Sequence, residues 1–200
     1  MKSYNKIIAA GILFLMFIFS GYIVLQSKDE IPEGWFKAGN SPKSYEVSIN
    51  KNAGKKGENI VHLKSIDKNV TGFGTLMQSF SAEKYLNKRV RFSASVKSKN
   101  VEQWAGLWMR IDGKENPRKS LGFDNMQNRP IKGNTDWKYY NVVLDVPEEA
   151  NKINFGILLA GTGEILFSNL NFEVVDKSVP TTNAAGYKPP SEPKNLDLNK

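Results

Sequence analysis

Residues 89–97, Arg-Val-Arg-Phe-Ser-Ala-Ser-Val-Lys, alternate without interruption. Val90, Phe92, Ala94 and Val96 fall on one side of an extended chain, and Arg89, Arg91, Ser93, Ser95 and Lys97 on the other. A period of two belongs to a half-buried β-strand, so this stretch points to an all-β protein. The pattern recurs on both sides. Upstream lie Tyr45–Ile49, Ile60–Ile66 and Phe73–Phe80; downstream lie Trp104–Asp112, Trp137–Val146 with Tyr140, Val142, Leu144 and Val146 on one face, Ile153–Leu159 with a core stripe of Ile153, Phe155, Ile157 and Leu159, and Ile165–Val175. Asn50–Gly57 and Gly161-Thr-Gly163 read as turns, and only Ser81–Leu86 looks helical, for little more than one turn. Short strands separated by turn chemistry predict an antiparallel jelly-roll β-sandwich over residues 35–176. Gly113–Lys119 reads as a polar loop and Phe123–Gly133 as an irregular segment.

The stretch 104–112, Trp-Ala-Gly-Leu-Trp-Met-Arg-Ile-Asp, has two faces of different chemistry. Ala105, Leu107, Met109 and Ile111 form a core stripe. Trp104, Gly106, Trp108, Arg110 and Asp112 form the other face. Indoles beside directional hydrogen-bonding groups suit a flat, hydroxyl-rich ligand. Two other readings stand beside it: a second layer that covers the indoles as satellite core, and a protein interface. On the ligand reading, Trp104 and Trp108 stack, while Arg110 and Asp112 supply hydrogen bonds. Asp124, Asn125 and Gln127 close the site from the irregular segment, and Gln78 contributes from a neighbouring strand.

Residues 7–25 form one apolar run of about 19 residues, close to the roughly 20 that span a bilayer. Lys2 and Lys6 precede it with no acidic residue, which predicts a cytoplasmic N-terminus and an exported remainder. A cleaved signal peptide is the rival, and cleavage would make the protein secreted. The apolar core is long for that, and the positions before Ser20, Gly21 and Ser27 suit a peptidase poorly. Residues 1–26 are therefore read as a single-pass cell-membrane anchor (a transmembrane helix serving as signal-anchor), 27–34 as a linker and 177–200 as a proline-rich disordered tail. The chain has no cysteine, so an exported domain of about 145 residues must stand on its hydrophobic core alone. The net charge is +8 at pH 7, and removing Lys2 and Lys6 leaves +6 on the part beyond the anchor. The basic residues are spread along the chain, so no nucleic-acid partner is expected; membrane, a carbohydrate or cell-envelope polymer, or a protein are the partners considered.

The chain carries little of the chemistry of catalysis. His62 is the single histidine, and without cysteine it builds neither a zinc site nor a triad. Asp112 and Asp124 are the candidate carboxylate pair for a glycan-processing enzyme, but nothing in the sequence sets their separation. No catalytic residue, metal ligand or cofactor is assigned. A structural calcium, common in jelly rolls, finds no dense acidic loop.

The segment 135–150, Thr-Asp-Trp-Lys-Tyr-Tyr-Asn-Val-Val-Leu-Asp-Val-Pro-Glu-Glu-Ala, resembles the corresponding strand of jelly-roll carbohydrate-binding modules. The resemblance continues through Ile153–Ala160, Gly161-Thr-Gly163 and Ile165–Phe172, although Ser168-Asn169 stands where those modules commonly carry an acidic pair. Residues 73–78, 104–110 and 123–127 are also similar to a domain found behind helix-turn-helix regions of some bacterial regulators; no helix-turn-helix is present here. The first resemblance implies a non-catalytic binding module, the second a sensing or binding module separated from any DNA-reading part; a structural or protein-interaction domain at the cell envelope is the alternative reading of the chain.

Overall fold

The computed structural model describes residues 29–115 and 120–182. The described residues form nine strands: β1 (Phe36–Gly39), β2 (Tyr45–Asn50), β3 (Ile60–Ser65), β4 (Phe73–Ser81), β5 (Arg89–Gly113), β6 (Ser120–Asp124), β7 (Ile131–Asp145), β8 (Ala150–Ala160) and β9 (Glu164–Val175). Single 3-10 turns occupy Pro42–Ser44 and Glu83–Tyr85, the second inside the stretch expected to turn helically. All strand pairs are antiparallel. The jelly-roll β-sandwich expected from the alternation is present.

The two stretches 89–97 and 104–112, read as separate strands, are one. Residues 89–99 of β5 pair with β9, and residues 104–113 pair with β8. The front layer is thus β1-β4-β8-β5-β6 and the back layer β2-β3-β9-β5-β7, with β5 common to both. The parity of the core-facing residues changes along β5. The buried stripe is even-numbered through Val96 and Ser98, then odd-numbered from Val101 through Ile111. The shift lies at the irregular register between Ser98 and Val101, where Asn100 has φ +50°. One extra residue there keeps the apolar side of β5 on the core as the strand changes sheets. The 161–163 turn presses against this point. A Cβ on Gly163, at φ +132°, would stand 2.8 Å from both Asn100 O and Val101 Cα, so only glycine fits.

The two layers meet through edge-on rings. Phe92 of the back layer packs on Phe155 of the front with centroids 4.7 Å apart, and Phe155 also touches Trp35, Phe80 and Phe172. Such geometry sets the positive ring edge against the negative face and adds to simple burial. The expected core stripes of β5, β7 and β8 are all buried, with Tyr140 packed at the margin.

Residues flanking the expected sandwich contact it at both ends. Part of the expected linker belongs to the fold: Glu30 N–H donates to Val47 O, Asp29 accepts from Val47 N–H, and Lys37 pairs with Asp29 at 2.5 Å. The start of the expected tail also lies along the sandwich. Thr182 exchanges hydrogen bonds with the Val143 backbone, and Arg89 Nη1 donates to the carbonyls of Lys177 and Val179. These edges offered unpaired backbone groups, and the flanking segments satisfy them. The apolar run 7–25 and residues 183–200 lie outside the described residues. Among the described residues no helix is long and apolar enough to cross a membrane.

Phe155→Ala should lower stability by about 3–5 kcal/mol, because it removes the ring on which both layers converge. Thermal melts should show this as a large fall in Tm, identical with and without reductant.

Candidate functional site

A groove of about 470 Å³ lies on the outer face of the front layer. Strand register builds it. Thr75 of β4, Leu158 of β8 and Gly106 of β5 stand in one row; Met77, Gly156 and Trp108 form the next; Phe73, Ala160 and Trp104 form the row on the other side. Phe123 of β6 lies beside Arg110. The segment after β6 folds over Gly106, where a Cβ would meet Asn125 O and Met126 Cβ at 3.0 Å. The bare glycine between the two indoles therefore admits a wall of the groove.

The two indoles differ. Trp108 is 8% exposed and packs with Leu158 and Ala160 into a small cluster of its own, with Phe73, Met77 and Trp104 at its margin. Its Nε1–H donates to Thr75 Oγ1 at 2.8 Å, and that hydroxyl donates to Ile157 O at 2.8 Å. Trp108 is thus largely the satellite core that the sequence left open as a rival reading. Trp104 is half-buried and Phe123 is 37% exposed, and these present the free aromatic surface.

Arg110 and Asp112 are positioned as a unit. Asp112 is 5% exposed and accepts from Arg110 Nε at 2.7 Å, Arg110 Nη2 at 3.0 Å and Asn154 Nδ2 at 2.7 Å. Ser79 Oγ donates in turn to Asn154 Oδ1 at 2.7 Å. The carboxylate is fully engaged and orients the guanidinium, whose side chain remains 45% exposed at the groove. Asp112 consequently supports the site rather than facing a ligand.

Three residues assigned to the site lie elsewhere. Asp124 is opposite Met109 in register, which turns it to the core side, and it is completely buried. It accepts from Arg129 Nη2 at 2.6 Å, Arg129 Nη1 at 3.0 Å and Met126 N–H at 2.8 Å. That pair holds the 124–129 segment in place as a wall. Gln78 shares its side of β4 with Leu76 and Phe80, away from the groove row of Phe73, Thr75 and Met77. Gln127 is exposed outside the groove and only donates its backbone N–H to Asn125 Oδ1. Asn125 does line the groove. Phe73, Met77, Gln103 and Phe123 were not anticipated. Parity along 73–77 was available in the sequence, but which side of β4 joins that of Trp104 depends on its pairing through β8.

Among the described residues no group of three His, Asp or Glu side chains is placed to hold a metal. His62 is on the back layer, with Nδ1 2.7 Å from Glu164 Oε1 and Nε2 3.1 Å from Asn50 Nδ2. Burial raises the Glu164 pKa, but hydrogen bonds from His62 and Lys99 outweigh it and hold the carboxyl below its usual range. Its contribution to stability is present above the ordinary carboxylate pKa and is lost as pH falls through the lowered folded value.

No protein-family model matches the chain. The chain is 43% identical over 152 residues to the uncharacterized HTH-type transcriptional regulator YbfP of Bacillus subtilis (strain 168), a match covering 76% of this chain. It spans about half (51%) of that relative's length. Among solved structures, the CBM22-1 xylan-binding domain of Paenibacillus barcinonensis Xyn10C superposes with a TM-score of 0.52 at 11% identity, covering 73% of this chain and 88% of that one. The CBM22-1–GH10 modules of Clostridium thermocellum Xyn10B, complexed with xylohexaose, give a TM-score of 0.53 at 13% identity, covering 75% of this chain and 28% of that one. The fold is that of the jelly-roll carbohydrate-binding modules. At such identities the likeness concerns architecture, and function must be argued from the groove.

Single substitutions separate support from surface. Trp108→Ala should cost about 3–5 kcal/mol, and Trp104→Ala only about 1 kcal/mol. Asp124→Ala, which removes the buried acceptor of both Arg129 and the Met126 N–H, should cost about 2 kcal/mol. Denaturant titration of the three variants checks the order; an equal loss at Trp104 and Trp108 would contradict the assignment.

Proposed function

We propose that this protein is a non-catalytic, membrane-anchored module that binds a carbohydrate or similar polar ligand outside the cytoplasm. The observation that carries the reading is the groove itself. Exposed faces of Trp104 and Phe123 flank a guanidinium held in a fixed orientation, on a sheet of rigid strands. A sugar ring presents apolar C–H patches to aromatic rings and hydroxyls to directed polar groups, and the groove offers both. The jelly-roll architecture supports this, as does the engagement of both candidate carboxylates, Asp112 and Asp124, in internal ion pairs. The anchor remains the reading of residues 7–25, with the sandwich outside and retained at the membrane.

The similarity to a regulator favours a second reading, in which the same groove senses a ligand and passes the signal to a protein partner. The two share a ligand and differ in the consequence of binding. A glycan array probed with the full-length protein should give hits that Trp104→Ala removes while its melting curve stays near that of the wild type. An array with no hits, or hits indifferent to Trp104, would reject carbohydrate binding in the groove.

A further inference from the structure

The inventory of free hydrogen-bonding groups in the groove is lopsided. Thr75 Oγ1 is taken by Trp108 and Ile157, and Asn125 Oδ1 accepts from Gln127. Asp112 sits behind the groove with its oxygens given to Arg110 and Asn154. No Asp or Glu is among the described residues lining the groove, where Arg110 is the charged group. Among the described residues Arg110 Nη1, the Asn125 amide NH₂ and the Gln103 amide have no hydrogen-bond partner, so the free side-chain donors outnumber the one free amide acceptor, Gln103 Oε1. Lys152 is exposed next to Asp112 on the same face of the sheet and has no ion-pair partner among the described residues. Two cations thus stand against one buried, saturated carboxylate.

A neutral sugar hydroxyl both donates and accepts, and is served best by a site holding both kinds of partner. A guanidinium only donates, and its fork matches a group that only accepts. Resting on the carbohydrate-binding reading, we infer that the groove selects acidic saccharides, with a uronate carboxylate received by Arg110 Nη1 and the ring seated against Trp104 and Phe123. The Asp112–Asn154–Ser79 chain fixes the guanidinium so that little side-chain freedom remains to be lost on binding. The overall positive charge would assist encounter with a polyanion.

The test compares uronate oligosaccharides with their own methyl esters, which keep the ring and remove the charge. The full-length protein in neutral detergent should bind at least one free-acid oligomer at least tenfold more tightly than its ester, by calorimetric titration. That preference should shrink as salt is raised and should fall in Arg110→Gln, with Lys152→Gln giving a smaller loss. The comparison on the wild-type protein stands even if Arg110→Gln fails to fold. Esters or neutral oligosaccharides that bind as tightly as the acids would overturn the selectivity and leave the carbohydrate reading intact. Binding to poly(glycerol phosphate) but to no uronate would reassign the anion to phosphate and overturn the saccharide class. Binding to none of these would remove the carbohydrate reading and this inference together.

Discussion

Strand β5 is the constraint on which the rest of the molecule depends. One extended segment supplies hydrogen bonds to both layers, so neither sheet forms independently of the other. Its two halves carry apolar stripes of opposite parity, and the irregularity around Asn100 reconciles them. Without that extra residue, either Val90–Val96 or Ala105–Ile111 would face water, at a cost of several buried side chains. The closely packed Gly161–Gly163 turn shows how little room surrounds this point.

The groove is a consequence of the same crossing. Once the odd residues of 105–111 are committed to the core, the even residues 104–112 must face outward on the front layer. There they meet the outward residues of β4 and β8 and the segment following β6. Part of this face then buries itself: Trp108 and Asp112 become the packed and charged supports, while Trp104, Phe123 and Arg110 remain accessible. The accessible groups of the groove rest on strands and on the ion pair of buried Asp124 with half-buried Arg129, which hold them in place.

Much of the architecture was legible because β-strands declare themselves by period two. The stripes at 90–96, 105–111 and 153–159 face the core throughout, and the one at 140–146 does so from Val142 onward with Tyr140 at its margin. Continuity was harder to see. Residues 98–103 interrupt the alternation in one dimension, yet Ser98 and Lys99 pair with β9, and Ser98 and Val101 with β7. The contacts at the edges are hard to read for a related reason. Residues 29–30 and 177–182 bury little apolar surface, and their order comes from backbone groups satisfying exposed sheet edges, which composition does not report.

Residue type and local spacing suffice for the all-β class, the absence of disulfides, the apolar run 7–25 and the two-faced chemistry of 104–112. Which members of that outward face are accessible depends on packing between distant strands. Gln78 and Asp124 were a plausible choice for a site, but cross-strand register turns both away from the groove and brings in Phe73, Met77 and Phe123. Register is a relation between distant segments, and a one-residue slip exchanges the two faces of a strand. No local pattern in β4 or β6 contains that information, because it is fixed by how β5 and β8 pack between them.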